Sequence, residues 1–79
     1  MYSLEIDVYN HLNDDYNGRE FWGIFSTLEK ARETAKMAIN NWPYKNNYPI
    51  DVYFTISRII IDKVKDDSDV IEQWRETIS

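Results

Sequence analysis

Residues 2–12 alternate along the chain. Tyr2, Leu4, Ile6, Val8 and Leu12 fall on one side, and Ser3, Glu5, Asp7, Tyr9 and His11 on the other. A period of two is that of a strand with one buried face. Residues 13–20 are polar and carry Asn17-Gly18, a turn signal. The aromatic run at 21–25 reads as a second strand, so the two form a hairpin. A helix is then expected over about 27–42. Ser26-Thr27-Leu28-Glu29 has the capping-box spacing, Leu28, Ala31, Ala35, Ala38, Ile39 and Trp42 form one apolar stripe, and Pro43 stops the turn. Met37 falls opposite that stripe. After a loop at 43–49, residues 50–62 read as a third strand. Val52, Phe54 and Ile56 share a parity that Ile59 and Ile61 do not, which implies a bulge or a change of ladder near Ser57-Arg58. Asp66, Asp67 and Asp69 resemble a helix start, and Val70, Ile71, Trp74 and Ile78 recur at helical spacing.

The expected fold is therefore α+β in the order β-β-α-β-α. A three-stranded sheet has its first strand in the centre, its third parallel to its second, one face under the main helix, and a short amphipathic C-terminal helix over 69–78. The other face keeps Tyr9, His11 and Tyr53, with Trp22 on either side. No repeat or linker interrupts the chain, so residues 1–79 read as a single domain.

Composition changes the picture in two ways. With 79 residues the domain buries only roughly 60% of its unfolded surface, and 3 Trp, 6 Tyr and 3 Phe offset that thin core. With no Cys, disulfides and thiolate chemistry are impossible, and a reducing cytoplasm fits better than a secreted setting. No signal peptide is read at the N-terminus, and the longest apolar run, Ile59 to Ile61, is far short of a membrane span. The net charge of -5 argues against direct nucleic-acid binding, which needs phosphate-contacting cations, and is compatible with a basic protein partner.

The catalytic and cofactor inventory is thin. Asn13 to Gly18 imitates the first half of a calcium loop, but the position that requires a bidentate Glu holds Ile24. His11 is the one histidine and has no positioned nucleophile beside it. Both glycines are isolated, so no phosphate cradle is formed. The expectation is a non-enzyme with no metal and no cofactor.

The run Trp22-Gly23-Ile24-Phe25-Ser26-Thr27-Leu28-Glu29-Lys30-Ala31, with Tyr53, Thr55-Ile56 and Ile61-Asp62 later, resembles small modules of phages and bacterial mobile elements. In these a short strand ends in a helix start of the form FST-x-E-K-A. The resemblance covers residues 20–62. It implies an accessory protein of the host-cell cytoplasm, by analogy with anti-CRISPR proteins an inhibitor of host defence. The partner-binding residues expected on that reading are Asp14, Asp15, Tyr16, Trp22, Tyr53, Asp66, Asp67 and Asp69. The acidic groups would face a basic nucleic-acid channel, and the aromatic groups would anchor the contact. The alternative is a structural or regulatory module that assembles as a homodimer through the uncovered sheet face.

Overall fold

The computed structural model describes residues 1–10, 15–41, 50–64 and 66–78. Four strands and one α-helix occur in the order β1 (Tyr2–Asn10), β2 (Asp15–Phe25), α1 (Leu28–Asn40), β3 (Ile50–Arg58) and β4 (Val70–Ile78), with a 3₁₀ turn at Asp67–Asp69 before β4. All neighbouring strands are antiparallel, and the sheet order is β2-β1-β3-β4. Both β2 and β3 oppose β1, so α1 carries the chain across β1 between two strands of the same direction.

Register decides which side chains meet the helix. Leu4 lies opposite Ile56, Ile6 opposite Phe54 and Val8 opposite Val52. Directly opposed residues share a face, so the even-numbered positions of β1 and β3 form the floor beneath α1. The roof is Ala31, Ala35 and Ala38, all buried. Small side chains there let the helix backbone approach the sheet, and the large groups come from the strands: Leu4, Ile6, Phe54 and Ile56 are fully buried. Leu28 and Ile39 flank this core.

The helix begins one residue later than the capping-box spacing implies. Thr27 is the N-cap, and its hydroxyl accepts from the Lys30 N–H at 3.2 Å. At the other end the Asn41 backbone N–H and side-chain amide both donate to the Met37 carbonyl.

Three strand assignments need correction. The second strand starts at Asp15, so most of the polar stretch 13–20 is strand and not loop. Gly18, with φ 77, takes up a bulge between Asp7 and Tyr9 instead of turning a hairpin. The third strand ends at Arg58, and Ile61-Asp62 lies in a turn where Asp62 has φ 63.

The largest correction concerns the C-terminus. The sheet has four strands and there is one α-helix, because residues 70–78 form β4 in place of the expected amphipathic helix. A spacing of four, as from Trp74 to Ile78, fits a helical face and a strand face equally. What looked like a helical contribution from Ile71 is a bulge: Ser57 pairs with Val70 and Ile56 with Glu72, leaving Ile71 between. The inward-facing positions then read Glu72, Trp74, Glu76, Ile78, and the two glutamates hide the alternation. Trp74 stacks on Phe54 with ring centroids 5.0 Å apart, a contact that adds to the area buried.

Candidate binding surface

The face of the sheet opposite α1 is covered by no element among the described residues. Its side chains fall into rows across the strands. The first row is Ile24, Ser3, Ser57 and Val70; the second is Phe21, Glu5, Thr55 and Gln73; the third is Arg19, Asp7, Tyr53 and Arg75; the fourth includes Tyr9, Asp51 and Thr77.

The centre of this face is polar and tied together. Arg19 Nε donates to Asp7 at 3.2 Å and its guanidinium also reaches Glu5 at 3.4 Å. Gln73 donates to the Thr55 hydroxyl at 3.3 Å, and the Thr77 hydroxyl to Asp51 at 2.7 Å. Asp7, Asp51 and Thr55 are buried under their neighbours. These cross-strand bonds hold the layer in one arrangement, which lowers the ordering cost of any contact made to it. In the first row the hydroxyls of Ser3 and Ser57, directly opposed, are buried with no hydrogen-bond partner among the described residues.

Apolar groups stand among the polar ones: Phe21, 64% exposed, and Ile24, 53%, lie on the edge strand β2, and Tyr53, 38%, lies on β3. Phe21 and Ile24 reach the same face despite being three residues apart because a bulge intervenes: Leu4 pairs with Gly23 and Glu5 with Phe21, leaving Trp22 as the extra residue. Gly23 has φ 138 there, and an added Cβ would meet the Phe25 ring at 3.3 Å, so the bulge needs glycine.

The expected partner-binding residues are dispersed. Tyr53 stands in the third row of this face. Trp22 sits at the bulge of the edge strand, about a third exposed, with its indole N–H donating to Glu20 at 3.3 Å. Asp15 and Tyr16 belong to the start of β2, in register with Asn10 and Tyr9. Asp14 and His11 lie outside the described residues. Asp66, Asp67 and Asp69 stand at the other end of the sheet, before Val70. A rise of about 3.3 Å per residue puts the start of β2 roughly 20 Å along β3 from the Asp66–Asp69 segment, so the two segments do not form one patch.

The second acidic segment is also divided by role. Asp66 caps the 3₁₀ turn by accepting from the Ser68 N–H at 2.9 Å, and Asp69 closes the box by accepting from the Asp66 N–H. Asp69 is 3% exposed and paired with Lys63 at 2.9 Å. Asp67 remains exposed. The Lys63 ammonium and the Asp66 N–H hold the Asp69 carboxyl below its usual range, and the Ser68 hydroxyl and N–H do the same for Asp66. On the helix side Arg32 grips Glu72 in a forked ion pair, Nε lying 2.9 and 3.0 Å from the two oxygens, which lowers the Glu72 pKa and raises that of Arg32.

These carboxylates set an acid dependence. Their folded pKa values lie below the unfolded ones, so their contribution is complete above the ordinary carboxylate range, about pH 4, and is lost as pH falls through the folded values. Asp69→Asn removes part of that dependence. Melting temperature followed from about pH 6 to pH 2 should fall less steeply for the variant, and parallel curves would contradict the pairing.

Phe21, Ile24, Arg19, Gln73 and Arg75 were not legible as surface residues in the sequence. The single cue was Gly23 inside an aromatic run, a mark of a bulge that resets side-chain parity. Among the described residues no group of three His, Cys, Asp or Glu side chains is assembled for a metal ion, and no helix is long and apolar enough to cross a membrane. The chain matches no protein-family model, no curated protein and no solved structure.

Proposed function

We propose that the chain is a non-catalytic protein-binding domain that uses the uncovered face of its sheet as the contact surface. Its target is a basic, nucleic-acid-processing protein of the kind a phage would block in its host. The observation that carries this reading is the face itself: Phe21, Ile24 and Tyr53 are exposed beside a layer of mutually bonded polar side chains. Exposed apolar groups gathered on one face mark contact surfaces, and the cross-strand bonds that fix the polar groups beside them lower the ordering cost of a contact. The acidic balance supports a basic partner, since Asp+Glu number 14 against 9 Lys+Arg.

The test uses Phe21→Asp combined with Ile24→Asp, two exposed positions whose substitution leaves the core untouched. In a bacterium carrying a nucleic-acid-processing defence system, the wild-type protein should raise plaque formation by a sensitive phage. The double variant should not, while circular dichroism reports the same fold. Equal protection by both proteins would reject the face, and no effect of the wild type on any such system would reject the target class. Self-association is the alternative use of this face. A dimer in sedimentation that Tyr53→Glu dissolves would assign the chain to the structural modules.

A further inference from the structure

The two edges of the sheet differ. β2 carries two bulges and two positive-φ glycines, Gly18 and Gly23, which bend and interrupt its outer side. β4 has neither Gly nor Pro, and from Glu72 to Ile78 it runs against β3 in unbroken register. Its outer N–H and C=O groups therefore form a regular row, and no strand among the described residues pairs with it. Folded proteins usually blunt such edges with bulges, prolines or inward charges. β2 is interrupted at two places along its length, whereas the devices of β4, the bulge at Ile71 and the inward Glu72 and Glu76, leave its backbone row regular from Glu72 to Ile78.

Depressions lie on both sides of this edge. On the helix side, a groove of about 500 Å³ runs between α1 and β4, with Ala35, Ile39 and Trp74 as its apolar lining and Glu33, Lys36 and Glu76 among its polar groups. On the other side a hollow of about 410 Å³ is bordered by Tyr53, Gln73 and Arg75. Arg32 is already held by Glu72. No ion pair among the described residues engages Glu33, Glu76 or Arg75. Along the edge, then, an apolar position (Trp74), a cation (Arg75) and an anion (Glu76) follow one another on alternating faces.

We propose that β4 accepts an extended segment of another protein as a fifth strand. The segment that fits places an apolar, an acidic and a basic side chain in register with Trp74, Arg75 and Glu76. Backbone hydrogen bonds to the edge supply affinity, and the three side chains select the partner.

A second copy of β4 is a poor occupant. Two-fold antiparallel pairing that keeps both helices on one side must centre on a residue. Centred on Trp74 it opposes Glu72 to Glu76 twice; centred on Arg75 it opposes the two arginines. Centred on Gln73 it sets Glu72 against Trp74 twice, and the bulge at Ile71, which turns Val70 to the other face, ends the ladder there. Like charges directly across a ladder are destabilising, so the edge disfavours itself and selects a segment of different sequence.

The probe is a capped synthetic peptide with the core Lys-Glu-Leu-Glu-Lys between threonines and valines, which presents the same order in either strand direction. The control, Glu-Lys-Leu-Lys-Glu, has the same composition with charges exchanged. By ¹⁵N titration the first peptide should bind about tenfold more tightly, the product of several cross-strand charge pairs. It should shift and protect amides of 72–78 and of the facing flank of α1. The variant carrying Arg75→Glu and Glu76→Lys should invert that preference. Equal affinities, shifts confined to β2 or to the uncovered face, or an unchanged preference in the variant would each overturn the proposal. So would concentration-dependent protection of β4 without peptide, which would place a second copy there. The uncovered face is tested separately by the Phe21 and Ile24 substitutions, so one proposal can fail while the other stands.

Discussion

Phe54→Ala is expected to leave most of the protein unfolded at 25 °C. Phe54 is 1% exposed and lies in the middle of β3, opposite Ile6 on one side and Trp74 on the other, under the alanines of α1. Truncating a buried Phe costs about 3–5 kcal/mol through lost transfer energy and the cavity left behind. A domain of this size has a total stability of only about 3–5 kcal/mol from a single core. The floor cannot collapse to fill the gap, because its neighbours are fixed by strand pairing on both sides. Ile61→Ala, at a position 79% exposed, should change stability by less than about 0.5 kcal/mol. Urea melts of the two variants check the contrast. A Phe54→Ala melt that overlays the Ile61→Ala melt would place Phe54 outside the core.

Ending the chain at Asp66 is expected to abolish cooperative unfolding. The deletion removes β4, so Phe54 loses its stacked partner Trp74 and Ile50 its opposite neighbour Ile78. Burying one large apolar side chain is worth about 1.5–3 kcal/mol, and two such losses consume most of the stability the core provides. The deletion also turns β3, whose side chains are buried on both faces, into an edge. An unprotected apolar edge strand pairs with other copies, so the truncated chain should aggregate. A soluble monomer with a sharp melt within a few degrees of the full chain would show that residues 70–78 are an appendage.

The elements differ in how far residue pattern alone could reveal them. β1 was legible because Leu4, Ile6 and Val8 alternate with Ser3, Glu5 and Asp7, and that alternation survives pairing on both sides. The helix was legible because its stripe is long and its three alanines face the sheet as the spacing requires. β4 was not, because Glu72 and Glu76 occupy inward positions. Only the tertiary partner Arg32, 40 positions from Glu72 in the chain, makes Glu72 acceptable there. The bulge or change of ladder expected near Ser57-Arg58 is not found in β3, which pairs with β1 in unbroken register as far as Arg58, where the strand ends; the bulge at Ile71 belongs to β4, which the pattern concealed.

The surface was legible only in part. Tyr53 stood out as a polar aromatic among apolar neighbours of opposite parity. Phe21 and Ile24 did not, since the bulge at Trp22 sets them on one face. The acidic residues were visible as composition, but composition cannot separate Asp69, which a lysine and a turn amide hold in the fold, from Asp67, which remains exposed.

Both the uncovered face and the open edge depend on residues 70–78 being an edge strand. Amide hydrogen exchange followed by NMR tests that claim most directly. An edge strand bonds its neighbour through every second N–H, and the intervening ones point to solvent. Slow and fast amides should therefore alternate from Glu72 to Ile78. Uniform protection over consecutive residues, as a helix gives, or exchange at random-coil rates throughout, would contradict the account.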